Sequence, residues 1–232
     1  MVLVIKHAED EGPGLFGEYL KRGGHNVRTT GLHNGDPLPR IEDCAAIISM
    51  GGPMNVYEED KYPFLAHETT FLKMALQNNM PILGICLGAQ LLAKAAGSHV
   101  SKAPSAELGW QKISLSAEGK SDPLFKHLPG DIEVFQWHED TFDIPREGVL
   151  LATSAACRHQ AMRIGKRAWG LQFHPEVTRQ MLDDWAGHLS GKIGKEELVK
   201  GYLAIEANYR LHAELIYKNF CKSMPNYWAN KA

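Results

Sequence analysis

The sequence contains few cysteines, and none of them are paired in sequence. Only four occur among 232 residues, and no two form a CxxC pair. Zinc sites and thioredoxin-like sites depend on such pairs, so we expect neither a metal nor another cofactor. Cys44 and Cys157 lie beside apolar stretches and are expected to be inert core thiols. Cys221 follows a helical pattern and is expected to be structural.

Long apolar runs and an excess of one charge are also absent. No run approaches the roughly 20 apolar residues of a membrane-spanning helix. The N-terminal stretch MVLVIKHAEDEG lacks the order of a signal peptide and is typical of a first strand, which predicts a cytoplasmic protein. The formal net charge is -2, so we expect neither nucleic acid nor a membrane surface as a partner.

The first half of the chain alternates strand-like apolar runs with helix-like amphipathic runs. Such alternation is typical of a parallel sheet with helices on both faces. Strands are predicted over 1–6, 25–30, 45–50 and 81–85, and helices over 14–21, 63–77 and 87–96.

The second half is richer in strands, and a helical tail follows it. Strands are predicted over 111–116, 133–137, 149–154, 161–164 and 168–173, with a tight hairpin at Gly165-Lys166. The tail from Thr178 onward is predicted to be mostly helical, with an interruption near 190–194. We therefore expect one α/β domain with an open, mostly parallel, flavodoxin-like sheet and a small antiparallel element. The catalytic core would span about 1–190 and the helical tail 191–232.

The segment GICLG (84–88) has the form of a nucleophile elbow with cysteine in place of serine. An apolar strand precedes it and a helical pattern follows it. Cys86 would then lie at a helix N-terminus, where unpaired N–H groups and the helix dipole favour the thiolate. Taken alone, the segment fits a buried cysteine packed by glycines equally well.

The segment GLQFHPE (170–176) ends a predicted strand with His-Pro-Glu. Pro175 favours extended backbone at His174, so the side chains of His174 and Glu176 can point the same way. The carboxylate could hold one ring nitrogen while the other takes a thiol proton. Alone, the pattern fits a surface histidine beside a solvated glutamate better.

The segment MGGPM (50–54) also follows a buried strand, and its glycines leave backbone N–H groups approachable. Alone it is merely a turn. Together, the three segments come in the order oxyanion loop, nucleophile, base with its orienting group. Each follows a predicted strand, at the edge of the sheet where sites of α/β proteins assemble.

Because of GGP, GICLGAQ and GLQFHPEV, the sequence resembles the class I glutamine amidotransferases. It is most similar to the glutaminase domain of GMP synthase and to stand-alone relatives, over about residues 1–177. The resemblance implies a thioester mechanism on the side-chain amide of glutamine, with Cys86 as nucleophile, His174 as base and Glu176 holding the imidazole. It implies oxyanion donors in the N–H groups of Gly52 and Leu87.

The resemblance also implies a set of residues around bound glutamine. Gln90 matches a position that contacts it, and the segment FQWHED (135–140) matches a loop that lines the pocket mainly through its backbone. The substrate-binding residues expected on this ground are Gln90, Trp137, His138, Glu139 and Asp140. For His138 a supporting role within the loop is favoured over a catalytic one, and ELGW (107–110) is expected to be architectural.

The sequence contains neither an SGGxDS loop nor a GxxxxGK[ST] motif. Synthetic use of ammonia would therefore need a separate synthase partner, or the substrate is another γ-glutamyl compound. A γ-glutamyl peptidase or hydrolase with the same chemistry is one alternative to a glutaminase. A catalytically silent regulatory or binding protein is another, and a redox or stress protein is a third. The intact Cys, His and Glu disfavour the silent protein, and His-Pro-Glu disfavours the redox protein.

Overall fold

The computed structural model describes residues 1–185, 187 and 193–225. Its centre is a single sheet. The strands are β1 (Val2–Lys6), β2 (Val27–Gly31), β3 (Ala46–Ser49), β4 (Ile82–Ile85), β5 (Val100–Leu115), β6 (Asp131–Phe142), β7 (Gly148–Thr153), β8 (Ala161–Ile164) and β9 (Ala168–Leu171). In space they follow the order β2-β1-β3-β4-β9-β8-β7-β5-β6. The pairs from β2 to β9 are parallel, and those from β9 to β6 are antiparallel.

Helices cover both faces of this sheet. They are α1 (Gly14–Arg22), α2 (Phe64–Gln77), α3 (Leu87–Ala95), α4 (Ala117–Ser121), α5 (Arg179–Trp185) and α6 (Lys195–Cys221). Alternate residues of β1 enter two separate hydrophobic clusters. Val2 and Val4 pack with residues of α1 and α6, whereas Leu3 and Ile5 pack with residues of α2 and α3. This two-residue period divides the core between the two faces of the sheet.

The predicted α/β fold with helices on both faces is confirmed, as is the hairpin at Gly165. Strands β5 and β6 are longer than the pattern predicted. A bulge between Lys102 and Glu107 breaks the two-residue alternation of side chains along β5. The first half of β5 therefore lacks the sequence pattern of a strand. The predicted interruption near 190–194 lies mostly outside the described residues.

The burial of the cysteines differs in part from expectation. Cys157 is buried, as predicted, and Cys221, expected to be structural, is buried too, but Cys44 is only partly buried. It precedes β3 at the rim of a hydrophobic cluster rather than within it, so the prediction of a core thiol was wrong for Cys44. Burial raises the pKa of the Cys44 thiol, so that it stays protonated at neutral pH.

The turn between β4 and α3 is packed so closely that it excludes side chains at two positions. A Cβ on Gly84 would lie 2.5 Å from the carbonyl oxygen of Gly88, and a Cβ on Gly88 would overlap the carbonyl oxygen of Ser49. The N–H of Gly88 also donates to the carbonyl of Met50, at 3.1 Å. The glycines of GICLG therefore bring α3 against the end of β3.

Within the described ranges, no helix is both long and apolar enough to cross a bilayer. The 27-residue α6 reaches the necessary length, but charged residues recur along it.

We predict that Gly88→Ala lowers the free energy of unfolding by about 3 kcal/mol, because its Cβ meets backbone that cannot rotate away. Urea unfolding of the purified protein measures this loss. Gly12→Ala is the matched control, since nothing lies within 4 Å of a Cβ there, and it should change stability by less than about 0.5 kcal/mol. Equal midpoints for the two variants would contradict the packing described for the turn.

Candidate active site

Cys86 connects β4 to α3 in a backbone conformation that is unusual for a residue with a side chain. Its φ of 51° lies in the left-handed region, and it is the N-cap of α3. Such strain persists only where the surrounding structure holds it, and it is frequent at functional sites. The residue is 7% exposed. Its Sγ lies 3.7 Å from the carbonyl oxygen of Trp137 and 3.7 Å from Nε2 of Gln172.

His174 lies between Cys86 and Glu176. Its Nδ1 is 2.8 Å from Oε1 of Glu176, and the imidazole is electrostatically coupled to Cys86. Since a carboxylate only accepts, Nδ1 carries a proton and Nε2 is left for the thiol. Burial opposes the charged form of His174, but Glu176 and Cys86 outweigh it and hold the pKa well above its ordinary value. The three side chains can therefore move a proton from sulfur to imidazole.

The backbone around His174 is fixed from several directions. The Tyr209 hydroxyl donates to the carbonyl of His174 at 2.9 Å and accepts from the N–H of Val177 at 2.9 Å. The N–H of His174 donates to the carbonyl of Phe135 in β6, also at 2.9 Å. Trp185 packs edge-on against the imidazole, with 5.6 Å between ring centroids. Helix α6, which carries Tyr209, is thus part of the support of the site.

The Gly51-Gly52 peptide is held by a buried chain of polar groups. Nδ1 of His7 donates to the carbonyl of Gly51 at 2.9 Å, and Nε2 of His7 lies 2.6 Å from Glu68. The Ser49 hydroxyl donates to the other oxygen of Glu68, at 2.6 Å. Burial would lower the pKa of His7, but Glu68 and the hydrogen bonds outweigh it and raise the pKa. Because the described peptides are all trans, the N–H of Gly52 points away from His7.

One pocket of about 270 Å³ brings most of the predicted site residues together. Cys86 and His174 line it, whereas Glu176 lies behind His174 and does not. The other predicted residues that line it are Gly52, Leu87, Gln90, Trp137, His138, Glu139 and Asp140. Their roles stay predictions, since a shared pocket does not by itself assign one.

The side chain of Gln90 is tied into the wall of this pocket. Its Nε2 donates to the carbonyl of Asp140 at 3.3 Å and to the side chain of Gln172 at 3.2 Å. Asp140 accepts from the Tyr57 hydroxyl at 3.0 Å, and its other oxygen lies 3.1 Å from Nζ of Lys102. The segment after Trp137 is therefore anchored to α3 and to the loop before α2.

A second group of cysteine, histidine and glutamate lies behind the pocket. The ligating atoms of Glu107, His138 and Cys157 all lie within 4.8 Å of one another, so their chemistry could hold a metal ion. Both oxygens of Glu107 are already engaged, however. They accept from Ser154 at 2.7 Å and Gln160 at 2.5 Å, and His138 approaches at 3.1 Å. This saturation favours a structural role for Glu107, and the supporting role of His138 stays a prediction.

Glu11 is a pocket residue that sequence reasoning missed. It is 7% exposed, and its Oε2 has no hydrogen-bond partner within the described residues. Burial, together with Glu176 and Asp10, raises its pKa to about 7, against the lowering effects of His174 and His7. A carboxyl group so close to neutrality can change its charge when a ligand enters.

Several supporting residues carried little signal in the sequence. Glu11 and His7 both follow β1, at the same edge of the sheet as Cys86. Their position after a predicted strand could have marked them as candidate site residues. Glu68 and Tyr209 lie within helices and gave no comparable signal.

A larger cavity, of about 820 Å³, lies at the opposite end of the strands. It is bordered by the last turns of α2 and α3 and by the β8–β9 hairpin. No cysteine or histidine is found among the described residues that line it, so the smaller pocket is the one equipped for nucleophilic chemistry.

Comparison with protein families gives one match over most of the chain. Residues 18–184 match the family described as glutamine amidotransferase class-I. A glutamine-hydrolyzing GMP synthase subunit of Methanocaldococcus jannaschii is 33% identical over 172 residues, which cover 70% of this chain and 85% of that protein. The glutamine-hydrolyzing GMP synthase of Thermosipho africanus is 38% identical over 146 residues, but these cover only 26% of that longer protein.

Solved structures resemble this fold over nearly its whole length. A glutamine amidotransferase of Thermotoga maritima has a TM-score of 0.87 at 32% identity and covers 94% of this chain and 96% of its own. A glutamine amido transferase of Methylobacillus flagellatus has a TM-score of 0.90 at 28% identity, and the match covers 97% of this chain and 95% of that protein.

We predict that Glu11→Gln becomes more stable relative to the native protein as pH rises from 5 to 8. In the unfolded chain the carboxyl ionises near its ordinary pKa of 4.5, but in the folded protein only near 7. The stability that protonated Glu11 contributes to the native protein is therefore fully present below the lower pKa and is lost as pH rises through the upper one. Glutamine at this position does not titrate and loses nothing. The relative gain is up to about 3 kcal/mol. Urea unfolding at both pH values checks it, and a difference independent of pH would contradict the raised pKa.

Proposed function

Because the chain belongs to the class I glutamine amidotransferase family, we propose that it hydrolyses a γ-glutamyl amide through Cys86, with glutamine as the simplest substrate. One observation carries the proposal. Glu176 is hydrogen-bonded to His174, His174 is electrostatically coupled to Cys86, and Cys86 and His174 line one pocket at the carboxyl edge of the sheet.

In the first step Sγ of Cys86 bonds to the γ-carbonyl carbon, and the carbonyl electrons move onto its oxygen. The thiol proton passes to Nε2 of His174, while Glu176 stabilises the imidazolium through Nδ1. The carbon–nitrogen bond then breaks, and His174 returns its proton to the leaving nitrogen. This leaves a thioester on Cys86.

Water completes the reaction. His174 takes a proton from water as the oxygen bonds to the thioester carbon, and the carbon–sulfur bond then breaks. The products are glutamate and an amine, which is ammonia when the substrate is glutamine. The proton on His174 restores the thiol.

The oxyanion formed in both additions is assigned to the N–H groups of Gly52 and Leu87. His7 holds the Gly51 carbonyl, and so keeps the Gly52 N–H turned to the other side of the same peptide. His7 is therefore proposed as a positioning residue, which prepares the donor before substrate arrives. One such donor contributes about 3 kcal/mol to the transition state.

A second candidate function is transfer of ammonia to a synthase partner. The relatives named as single subunits of a glutamine-hydrolyzing GMP synthase motivate it. Faster glutamine turnover in the presence of a partner would support this function. Hydrolysis of γ-glutamyl amides, by contrast, requires no partner. A cytoplasmic location stays part of the proposal.

We predict that Cys86→Ala lowers kcat on glutamine or a γ-glutamyl amide by at least a thousandfold, because no other group can form the thioester. Released glutamate, measured in coupled assays, follows the loss. Cys157→Ala is the matched control, since it removes the cysteine of the second Cys-His-Glu group and should keep most of the activity.

Affinity labelling provides an independent check of the same prediction. A glutamine-like chloroketone should modify Cys86 and spare Cys44, Cys157 and Cys221, because only Cys86 is paired with His174. Activity that survives Cys86→Ala but not Cys157→Ala would move the nucleophile to the second Cys-His-Glu group and refute the proposal.

We predict that His7→Leu lowers kcat by about tenfold to a hundredfold while KM changes by less than about threefold, because a donor used in the transition state loses its alignment. Steady-state kinetics of the purified chain separate the two constants.

His7→Asn is the control, since its side-chain amide can still donate to the Gly51 carbonyl and should recover part of kcat. Circular dichroism monitors folding in both variants. Equal losses in His7→Leu and His7→Asn, or a loss confined to KM, would contradict the positioning role.

A further inference from the structure

Glu11 is a buried acid in the candidate active-site pocket, and it has no role in the proposed reaction. Its carboxyl is 7% exposed, lines the same pocket as Cys86 and His174, and has an Oε2 with no partner within the described residues. A buried carboxylate without a partner is costly. A site that keeps one is suited to a ligand that supplies the missing positive charge or hydrogen-bond donor.

The position of Glu11 indicates which part of the substrate it faces. A Cβ built on Gly51 would lie 2.7 Å from Oε2 of Glu11 and 2.9 Å from Cε1 of His174, so the carboxyl and the imidazole border the same small space. In the proposed reaction His174 gives its proton to the leaving nitrogen. The carboxyl of Glu11 therefore faces the leaving-amine side of the pocket.

Within the described part of the chain, the cations near Glu11 are paired with other carboxylates. Lys102 lies 3.1 Å from Asp140 and 3.5 Å from Glu139. His7 and His174 are bonded to their own carboxylates, Glu68 and Glu176. His174 and His7 favour the ionised form of Glu11 only at a distance, and no described cation pairs with it, so a ligand can balance its charge directly.

We propose that Glu11 is a cation-binding subsite for the leaving group, and that the substrates are γ-glutamyl amides whose leaving amine carries a second, protonated amino group. A γ-glutamyl diamine is the simplest member of this class. The ammonium group supplies both the charge and the donors that Oε2 lacks. This assignment rests on the proposed function of Cys86 and His174.

Binding without turnover tests the subsite directly. Calorimetry compares Cys86→Ala with Cys86→Ala/Glu11→Gln on two probes of equal chain length, the γ-glutamyl monoamide of 1,4-diaminobutane and γ-glutamyl butylamide. The single variant should bind the diamine amide at least tenfold more tightly, and the double variant should lose this preference. Cys86→Ala/Glu9→Gln is the matched control and should keep it, because Glu9 is exposed and lines no part of the pocket.

Kinetics of the protein with Cys86 intact form the second arm. The native chain should favour the diamine amide over the butylamide by at least tenfold in kcat/KM, and Glu11→Gln should bring this ratio near one. Equal binding of both probes by Cys86→Ala, or an equal loss for both probes on Glu11→Gln, overturns the subsite. Selective binding without any Cys86-dependent hydrolysis would instead refute the proposed function and leave the subsite standing.

Discussion

The site depends on one constraint, the sharp turn that puts Cys86 between a strand and a helix with a φ of 51°. A residue with a side chain is strained in this region, so the neighbours must hold it there. Gly84 and Gly88 do so by allowing backbone to approach where any Cβ would collide. The position of the sulfur thus follows from the absence of side chains on either side of it.

The parallel half of the sheet assembles the rest of the site around this turn. The carboxyl ends of β1, β3, β4 and β9 meet at one edge, and they bring Glu11, the Gly51-Gly52 loop, Cys86 and His174 together from distant parts of the chain. Two buried ionisable pairs lie there, beside Glu11, whose Oε2 has no hydrogen-bond partner within the described residues. Glu68 pairs with His7, and Glu176 pairs with His174. This pairing offsets the cost of burying these ionisable groups.

Sequence reasoning could find the groups that follow predicted strands and carry a chemical pattern, as GICLG and His-Pro-Glu do. It could not find Tyr209, because the hydroxyl that bridges His174 and Val177 comes from α6, 35 and 32 residues further along the chain. Glu11 was hidden for another reason. In HAEDEG it stands beside the exposed Glu9, and local sequence does not distinguish a solvated acid from a buried one. The first half of β5 was missed because its bulge breaks the two-residue alternation.

The charge of Glu11 is coupled to the chemistry of its neighbour. His174 lowers the pKa of Glu11 and Glu176 raises it, so the proton on Glu11 is sensitive to the state of the pair. An ionised Glu11 places a negative charge near the imidazole and favours the imidazolium, whereas a cation bound to Glu11 offsets that charge. The imidazolium is the form that accompanies the Cys86 thiolate. The ionisation of Glu11 is therefore linked to the reactive state of the nucleophile, and a cationic leaving group weakens this link while it is bound because it balances the carboxylate.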